Sequence, residues 1–422
     1  MDNQVKILNQ LETLKVRGLE KYNLMQILFT VVFAPGNVDY GWKQILINLC
    51  FRRYQFSING NQKKMLFVSY DYSRSDHNGM IQKYKELYNC NVMELSSKSR
   101  REVGIKKSLA NIPLSVVQFC RIYNDLKIDV NKSLKRRLAC SLLDAMRFKN
   151  DLEKCDFTYK AMLQYFDGGL YENVLTQFCK LRGMKTITLQ HGQPVFHGKE
   201  NDLLNQTMML NFSSDYVLVT GAFSKKQFML AGVPESKIKV CGSLRDIKKL
   251  VWDKYGKFIV LLDCPTYEIA IKSNQLLIEA AKKIAVKYKF TFVVKCHPQD
   301  EPSNYVDCIG ENGIILEKGI NITDALVDMD FALLHVSGAY LDAMAAGVKS
   351  FCLVDEFDFP LVEEENDKFN DEFDLESKVD WWIGCDYSAK QQYFNRNLEY
   401  YLSPNNARKR NQEFVEEILN CE

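Results

Sequence analysis

The chain has 422 residues, of which 46% are hydrophobic and 26% charged, and its formal net charge is +2. This length exceeds one ordinary hydrophobic core, so we expect two domains of about 200 residues each. The composition excludes a disordered protein, and the small net charge argues against nucleic acid as a partner.

The cysteines and the N-terminus indicate the cellular compartment. Thirteen cysteines are scattered singly, which favours reduced thiols over a disulfide framework. The first residues lack the basic start and apolar core of a secretion signal. The most apolar early run, Met25–Phe33, is far shorter than the ~20 residues of a membrane span. We therefore predict a cytoplasmic protein that is soluble or bound peripherally at the inner face of a membrane.

The N-terminal quarter carries patterns for several elements but no recognisable motif. Apolar spacing over 4–24 predicts a helix, and the run Ile27–Phe33 predicts a strand that ends in a turn at Ala34–Gly36. A helix is expected from Gly41 and a second strand at Met65–Tyr70. The loop behind that strand is expected to carry Asp71, Ser73, Asp76 and His77.

The stretch 98–149 is the most basic part of the chain, with apolar residues interleaved among its lysines and arginines. One interpretation is a set of helices with a solvated basic face. The other is peripheral contact with an anionic membrane surface, where a lipid-linked acceptor would lie.

From residue 157 onward, strands alternate with helices at regular spacing. Strands are predicted at Phe157–Phe166, Thr186–Leu189, Tyr216–Val219, Lys239–Cys241, Phe258–Leu262, Phe290–Lys295, Gly313–Glu317, Phe331–His335 and Ser350–Val354. This alternation predicts an α/β fold with two Rossmann-like domains whose parallel sheets face each other across a cleft.

The expected division places an N-terminal acceptor-side domain at 1–245, a linker at 246–256 and a nucleotide-donor domain at 257–387. Two helices over 388–422, separated by Pro404, are expected to pack back on the N-terminal domain. The acidic stretch 355–376 is expected to be a solvated insertion.

The five histidines point to a site. They are His77, His191, His197, His297 and His335, and all but His197 are predicted to lie at the C-terminal end of a strand or in the loop that follows it. Ligands of open α/β sheets bind at the carboxyl ends of the strands, so this placement favours binding or catalysis over packing.

Two motifs in the second half fit phosphate binding. In Lys295–Pro298 (KCHP), His297 can donate to phosphate oxygens, and Pro298 fixes the backbone. In His335–Gly347, Ser337 and Gly338 open a helix whose N-terminus offers N–H groups to an anion. Asp342, one turn further, can hold a ribose or sugar hydroxyl. The alternative is a capped helix with small residues chosen for packing.

These motifs resemble known families. Leu341–Gly347 (LDAMAAG) resembles the donor-site helix of GT-B glycosyltransferases, with Asp342 in place of the commoner Glu and Val348–Lys349 in place of a proline step. His297-Pro298 and Ser337 are similar to the His-Pro and Ser motifs that bind the nucleotide phosphate in bacterial sialyl- and polysialyltransferases. Gly338 replaces the second hydroxyl residue of that motif.

The resemblance extends into the first half. Lys185–Gly192 (KTITLQHG) resembles the Gln-His-Gly segment of capsule polysaccharide transferases and of glycerol-phosphate polymerising enzymes. The segment 215–242 resembles the closing part of a GT-B N-terminal domain. The likeness covers about 165–350 of the chain.

A glycosyltransferase of bacterial surface polysaccharide synthesis is implied, moving a sugar from a nucleotide-activated donor to an oligosaccharide or lipid-linked glycan acceptor. It would be inverting and need no cofactor beyond its donor. The absence of Asp-x-Asp from the strand-end loops predicts a metal-independent reaction. Donor-binding residues are His297, Pro298, Ser337, Gly338, Asp342 and Lys295, with Gln190, His335 and Arg245 as secondary candidates.

The catalytic base is expected from the N-terminal domain. Asp167, in Phe166-Asp167-Gly168, resembles the acidic-acidic-Gly motif of sialyltransferases, with Phe166 replacing the first acid. His191 is the other candidate.

Three alternatives share much of this pattern. One is a polyol-phosphate transferase that uses a CDP-linked glycerol or ribitol donor. Another is a sugar-nucleotide 2-epimerase, which needs additional acidic and basic residues. The third is a non-catalytic GT-B partner subunit.

Overall fold

The protein is described by a computed structural model that covers residues 2–33, 57–59, 64–70, 75–88, 90–95, 105–190, 192–195, 211–248, 252, 255–264, 268–335, 337–355 and 361–420. The strands are β1 (Ser57–Asn59), β2 (Met65–Tyr70), β3 (Asn91–Leu95), β4 (Ala161–Gln164), β5 (Lys185–Leu189), β6 (Tyr216–Val219), β7 (Ile238–Val240), β8 (Lys257–Leu261), β9 (Thr291–Lys295), β10 (Gly313–Ile315), β11 (Phe331–Leu334), β12 (Lys349–Leu353) and β13 (Lys368–Phe369).

Helices cover both sheets. They are α1 (Asp2–Thr13), α2 (Leu24–Phe33), α3 (Ser75–Leu87), α4 (Ile105–Asp125), α5 (Lys132–Leu152), α6 (Leu170–Leu181), α7 (Ala222–Leu230), α8 (Glu268–Tyr288), α9 (Ile322–Ala325), α10 (Ala339–Ala346), α11 (Glu372–Gly384), α12 (Tyr387–Tyr401) and α13 (Ala407–Asn420). None of these described helices is long and apolar enough to cross a bilayer.

The two sheets have related strand orders. The N-terminal sheet runs β1-β3-β2-β4-β5-β6-β7, with β1 antiparallel to β3 and the remaining pairs parallel. The C-terminal sheet runs β10-β9-β8-β11-β12-β13 and is parallel throughout. The second order is that of a Rossmann fold, in which the winding direction reverses between β8 and β11. The predicted α/β fold with two Rossmann-like sheets is therefore confirmed.

The strands are buried because their residues are apolar on both faces, as parallel sheets require. In the C-terminal sheet, the rings of Phe258 on β8 and Phe331 on β11 stack with centroids 4.6 Å apart. Phe223 of α7 belongs to the same apolar core as these two residues, so part of the N-terminal half packs against the C-terminal sheet.

Of the two C-terminal helices, α13 reaches back to the first sheet, whereas Phe394, Leu398 and Tyr401 of α12 lie in the core of the C-terminal sheet. Phe414 of α13 lies edge-on to Tyr216 of β6, with ring centroids 5.3 Å apart. Ala407, Val415 and Ile418 lie in the same apolar cluster as residues of β2, β4 and β5. The chain therefore crosses to the C-terminal sheet and returns in its last helix.

Two N-terminal expectations are wrong. The run Ile27–Phe33 belongs to helix α2, in which Leu24, Ile27, Leu28 and Phe29 are buried. A short apolar run fits a buried helix as well as a buried strand, and the packing of α2 on α1, α5 and α6 decides between them. Helix α3 begins at Ser75, so His77 lies in a helix rather than in a loop. The turn at Ala34–Gly36 and the helix from Gly41 fall outside the described residues.

The acidic stretch 355–376 is not uniformly solvated. Asp367 has no exposed surface, and its carboxylate pairs with the equally buried ammonium of Lys349 on β12. Tyr340 and Tyr393 also donate hydroxyl protons to Asp367, the first at 2.7 Å. Burial lowers the pKa of Lys349, while the Asp367 carboxylate opposes that shift. Asp367 is buried because it neutralises Lys349. The local composition of 355–376 did not indicate this pairing.

Candidate functional site

The carboxyl edge of the C-terminal sheet collects polar side chains from four neighbouring strands. In the order of the sheet they are His297 after β9, Asp263 after β8, His335 after β11 and Asp355 after β12. The reversal between β8 and β11 opens a crevice at this edge, which is where open α/β sheets bind ligands.

His297 lies in a tight turn that determines which of its ring nitrogens carries the proton in the neutral form. Its ring Nδ1 accepts a hydrogen bond from the main-chain N–H of Gln299 at 3.2 Å. The N–H of Asp300 donates to the His297 carbonyl at 2.9 Å and closes the turn. Because Nδ1 is an acceptor, the neutral ring carries its proton on Nε2 and can donate it. The ring is half-buried, and Pro298 beside it is exposed.

Lys295 ends β9 and is half-buried, so burial lowers the pKa of its ammonium. Its partial burial at the edge of the crevice suits a contact with an anionic ligand, since the ligand's charge would offset the desolvation.

Ser337 and Gly338 lead into α10. Ser337 Oγ accepts from the N–H of Ala339 at 3.2 Å, which leaves its hydroxyl proton for donation. Gly338 is the N-cap of α10 and has helical backbone angles. The helix ends at Gly347, whose φ of +77° is the left-handed conformation that favours glycine. The N-terminus of α10 thus lies at the crevice with a hydroxyl beside it.

Asp342 faces the junction between the two halves. Its Oδ1 accepts from Nε of Arg245 at 3.1 Å, and both side chains are partly exposed. The main-chain N–H of Lys248 donates to the Ala345 carbonyl at 2.9 Å, so the 245–248 segment runs along α10. These contacts bring two sequence-predicted residues together and place Arg245 beside the donor helix.

Gln190 organises the loop after β5. Its Oε1 accepts from the N–H of Thr220 at 2.9 Å, and its Nε2 donates to the Gly192 carbonyl at 2.8 Å. The side chain therefore ties the ends of β5 and β6 together. His191 itself falls outside the described residues, and so does His197.

Asp167 follows β4 and is fully buried. Its Oδ2 accepts hydrogen bonds from the N–H of Ser213 at 3.0 Å and from the N–H and Oγ of Ser214 at 2.8 and 2.6 Å. Burial raises the pKa of Asp167 to about 6 against these hydrogen bonds, which lower it. The geometry shows a carboxylate that anchors the 213–214 turn, and its role as a base stays a prediction.

Glu172, in the first turn of α6, is a neighbour that sequence reasoning missed. Burial of its carboxylate raises the pKa of Glu172 to about 7, and the negative charge of Asp167 adds to the shift. Burial thus raises the pKa of both carboxyl groups at this end of the N-terminal sheet.

His335 is the most enclosed of these groups. Only 2% of it is exposed, and its Nδ1 lies 2.7 Å from Oδ2 of Asp263. Its Nε2 lies 2.8 Å from Oδ2 of Asp355. The three side chains bridge the ends of β8, β11 and β12 across the winding reversal.

Solved structures with the same architecture include proteins of nucleotide-sugar chemistry. The chain is similar to a putative UDP-N-acetylglucosamine 2-epimerase from Listeria monocytogenes, with TM-score 0.55, 12% identity and coverage of 85% of this chain and 97% of that one. The same identity and coverages relate it to Staphylococcus aureus MnaA in a co-structure with UDP, with TM-score 0.52. A glycosyltransferase from Rickettsia africae aligns with TM-score 0.49, 15% identity and coverage of 86% of this chain and 100% of that one.

At these identities the likeness establishes the two-domain GT-B architecture. Neither a family model nor a curated protein matches the sequence.

The sequence contained a signal for Asp263 and Asp355 as well. Each directly follows a predicted strand, as His335 does. Their meeting depends on strand order, since β8 and β11 are neighbours in the sheet although about 70 residues separate them.

Proposed function

We propose that the chain is a metal-independent glycosyltransferase that binds a nucleotide-activated sugar at the carboxyl edge of the C-terminal sheet. The observation that supports this proposal is that His297 follows β9 and Ser337 with the N-terminus of α10 follows β11, so they lie at the same edge of the sheet on the two sides of the winding reversal. Each offers a proton donor to an anion, and together they fit the phosphates of a nucleotide.

In the proposed reaction, these donors stabilise the charge that develops on the leaving phosphate. His297 donates from Nε2, Ser337 from its hydroxyl and α10 from its first N–H groups. Lys295 and Arg245 add positive charge nearby, and Asp342, in the first turn of α10, holds a ribose or sugar hydroxyl. His191 or Asp167 removes the proton from the acceptor hydroxyl, with inversion at the sugar carbon.

The acceptor in this proposal is an oligosaccharide or lipid-linked glycan of bacterial surface polysaccharide synthesis. Helix α4 supports a lipid-linked acceptor because its outer face carries Leu114 and Val117, which are 60% and 46% exposed. The exposed side chains of Arg121, Lys127 and Lys132 lie on α4, on the segment that follows it and at the start of α5. An apolar strip flanked by positive charge fits the surface of an anionic membrane on the cytoplasmic side.

A sugar-nucleotide 2-epimerase is the second candidate. The similar structure from Listeria monocytogenes carries that name, and the one from Staphylococcus aureus holds UDP, which supports a nucleotide-sugar substrate in either case. In this candidate Glu172, which is partly exposed and lies near Asp167, would be the additional acidic group that proton abstraction from a sugar carbon requires.

Nucleotide binding tests the shared part of both candidates. We expect one of UDP, CDP, CMP and GDP to raise the melting temperature, and His297→Ala to weaken its binding about 10- to 100-fold, as for loss of a hydrogen bond to a charged group. Gln299→Ala is the matched control, because it lies in the same turn and keeps the N–H that bonds to His297 Nδ1. Failure of all four nucleotides to bind would contradict the proposal.

Product analysis then separates the candidates. Incubation with UDP-N-acetylglucosamine alone and formation of its 2-epimer would favour the epimerase. Release of a nucleoside phosphate that depends on an added glycan acceptor supports the transferase. Turnover of CDP-glycerol, with no turnover of nucleotide sugars, would replace it with a polyol-phosphate transferase.

A further inference from the structure

A histidine between two carboxylates lies at the strand ends just before the proposed phosphate-binding turn. His335 follows β11, Asp263 follows β8 and Asp355 follows β12, so the cluster joins three strand ends. Nδ1 of His335 lies 2.7 Å from Asp263, and Nε2 lies 2.8 Å from Asp355. With 2% of the residue exposed, water contributes little to its solvation.

These contacts determine the charge of the ring. A neutral imidazole has one N–H, so its second nitrogen would direct a lone pair at a carboxylate oxygen. An imidazolium presents a proton to each acid. The Nε2 contact has the distance of a hydrogen bond but not its angle, so Asp355 acts on His335 mainly through its charge. The arrangement therefore requires the protonated ring or a protonated acid, and the ring is the stronger base.

Helix α8 holds the main chain of Asp263 and the carboxylate of Asp355 in place. Asn274 accepts from the N–H of Asp263 at 2.9 Å and donates to the Asp263 carbonyl at 3.1 Å. Ser273 donates its hydroxyl to Asp355 Oδ2 at 2.9 Å, which favours the ionised form of that acid. Cys352 on β12 donates its thiol to the His335 carbonyl at 3.2 Å, and burial raises the pKa of this thiol so that it stays neutral.

The cluster is connected to the phosphate-binding turn through the main chain. Ser337 lies two residues after His335, and its N–H donates to the His335 carbonyl at 3.1 Å. The Ser337 hydroxyl in turn accepts from the first residue of α10. A shift of the His335 ring therefore moves the start of α10. Loss of its charge would also remove a positive charge that lies between two carboxylates and beside an anionic ligand.

We infer that His335 is a positioning residue, held as an imidazolium by Asp263 and Asp355, that fixes the Ser337–Gly338 turn and makes nucleotide affinity depend on its own proton. The inference rests on the proposed function, because it assigns the ligand at that turn. His335 contacts the two acids and acts on the nucleotide through Ser337 and Gly338.

The direction of the pH dependence follows from these contacts. Burial opposes the charge of His335, but the hydrogen bond to Asp263 and the negative charges of Asp263 and Asp355 outweigh it and raise its pKa. A raised histidine pKa stabilises the folded protein below the unfolded value of about 6.5, and this contribution is lost as pH rises through the folded value. Nucleotide affinity should fall over the same upper range.

The test combines two measurements over about pH 6 to about pH 9. Isothermal titration calorimetry gives the Kd of whichever of UDP, CDP, CMP and GDP binds. NMR of protein labelled with ¹³C at histidine Cε1 gives the pKa of each of the five histidines, and loss of one signal in His335→Gln assigns it. We expect Kd to rise at least about tenfold through the pH at which the His335 signal titrates, which corresponds to about 1.4 kcal/mol.

Asp355→Asn distinguishes a positioning role of His335 from a merely structural one. The amide keeps an oxygen for the Ser273 hydroxyl but removes a negative charge from Nε2, so the His335 titration and the fall in affinity should both move to lower pH. Asp307→Asn, an exposed aspartate in the same domain, is the charge-matched control and should move neither.

The outcomes are distinct. An affinity that stays constant while His335 titrates, or a His335 pKa at or below its usual value, overturns the inference. If no nucleotide binds but His335 titrates above its usual range, the proposed function and the positioning role both fail, and the charged cluster alone stands. A nucleotide that binds with the same pH profile in Asp355→Asn leaves the proposed function intact and removes the inference.

Discussion

Asp167 accepts three hydrogen bonds from the 213–214 turn, although no part of it reaches solvent. The same turn is joined to α6 through Lys180, whose ammonium donates to the Ser213 carbonyl at 2.8 Å. Asn211 completes the connection by donating to the Gly168 carbonyl at 3.2 Å. The Asp167 carboxylate thus holds Ser213 and Ser214, which precede β6, against the end of β4.

We expect Asp167→Ala to lower the free energy of unfolding by about 1–3 kcal/mol, because it leaves buried N–H groups without an acceptor. Asp167→Asn keeps one acceptor oxygen and should cost less. Because the pKa of Asp167 is raised to about 6 in the folded protein, its contribution to stability is fully present below the unfolded value of about 4 and is lost as pH rises through about 6. Urea unfolding at several pH values should show this component in the wild type and not in Asp167→Asn. A pH profile shared by both proteins would mean that Asp167 does not titrate in this range.

The histidine motifs could be predicted because strand, turn and helix follow each other directly along the chain. His297 with its proline and Ser337 with its glycine carry their context within a few residues. The role of Asp263 and Asp355 could not be predicted in this way, because it depends on their contacts with His335, which bring the ends of three strands together. In the sequence, Lys349 stands out only because Val348–Lys349 takes the place of the proline step in the similar GT-B motif. Its partner Asp367 lies 18 residues away, in a stretch whose composition predicted a solvated loop.

Among the elements, the alternating α/β region was predictable and the first helices were not. Strands such as β8 and β11 are continuous apolar runs bounded by polar residues, and the structure confirms both. Helix α2 has an equally apolar sequence, but α1, α5 and α6 surround it on several sides. Its environment comes from residues up to about 150 positions away, which explains the error at Ile27–Phe33.

The basic residues on and between α4 and α5 fall into two groups, one that makes internal contacts and one that lies at the surface. Arg137 donates to the Val31 carbonyl at 2.7 Å, and Arg147 donates to the hydroxyl of Ser115. These two arginines therefore hold the domain together. The exposed side chains of Arg121, Lys127 and Lys132 remain at the surface beside the apolar face of α4.

We expect the wild type to sediment with phosphatidylglycerol vesicles and not with phosphatidylcholine vesicles. The double variant Leu114→Glu/Val117→Glu should reduce this binding about tenfold or more, because it replaces apolar burial with negative charge next to an anionic surface. Leu276→Glu, at a residue that is 54% exposed on α8, is the matched control. Equal loss of binding in the control would show that α4 is not the membrane-facing helix.

At the scale of the whole molecule, the two sheets are joined by backbone contacts as well as by side chains. The Thr220 hydroxyl donates to the Tyr401 carbonyl at 3.0 Å, and the N–H of Ser243 donates to the Leu402 carbonyl at 2.7 Å. The ring centroids of Phe223 and Tyr401 are 5.0 Å apart. The end of α12 therefore fits against the start of α7, and Gly221 lies at the closest point.

A Cβ atom at Gly221 would lie 2.4 Å from the carbonyl oxygen of Tyr400 and 2.5 Å from the carbonyl carbon of Tyr401. Both are main-chain atoms, so no side-chain rotation can relieve the clash, and Gly221→Ala must push α12 away from α7. We expect this overpacking to lower the free energy of unfolding by about 1–3 kcal/mol and the melting temperature by several degrees. Gly79→Ala is the matched control: Gly79 lies in α3, and a methyl group there would meet no atom within 4 Å, so alanine should leave stability equal or slightly higher. Calorimetry on both variants decides the matter, since an unchanged melting temperature for Gly221→Ala would mean that α12 does not rest on this glycine in solution.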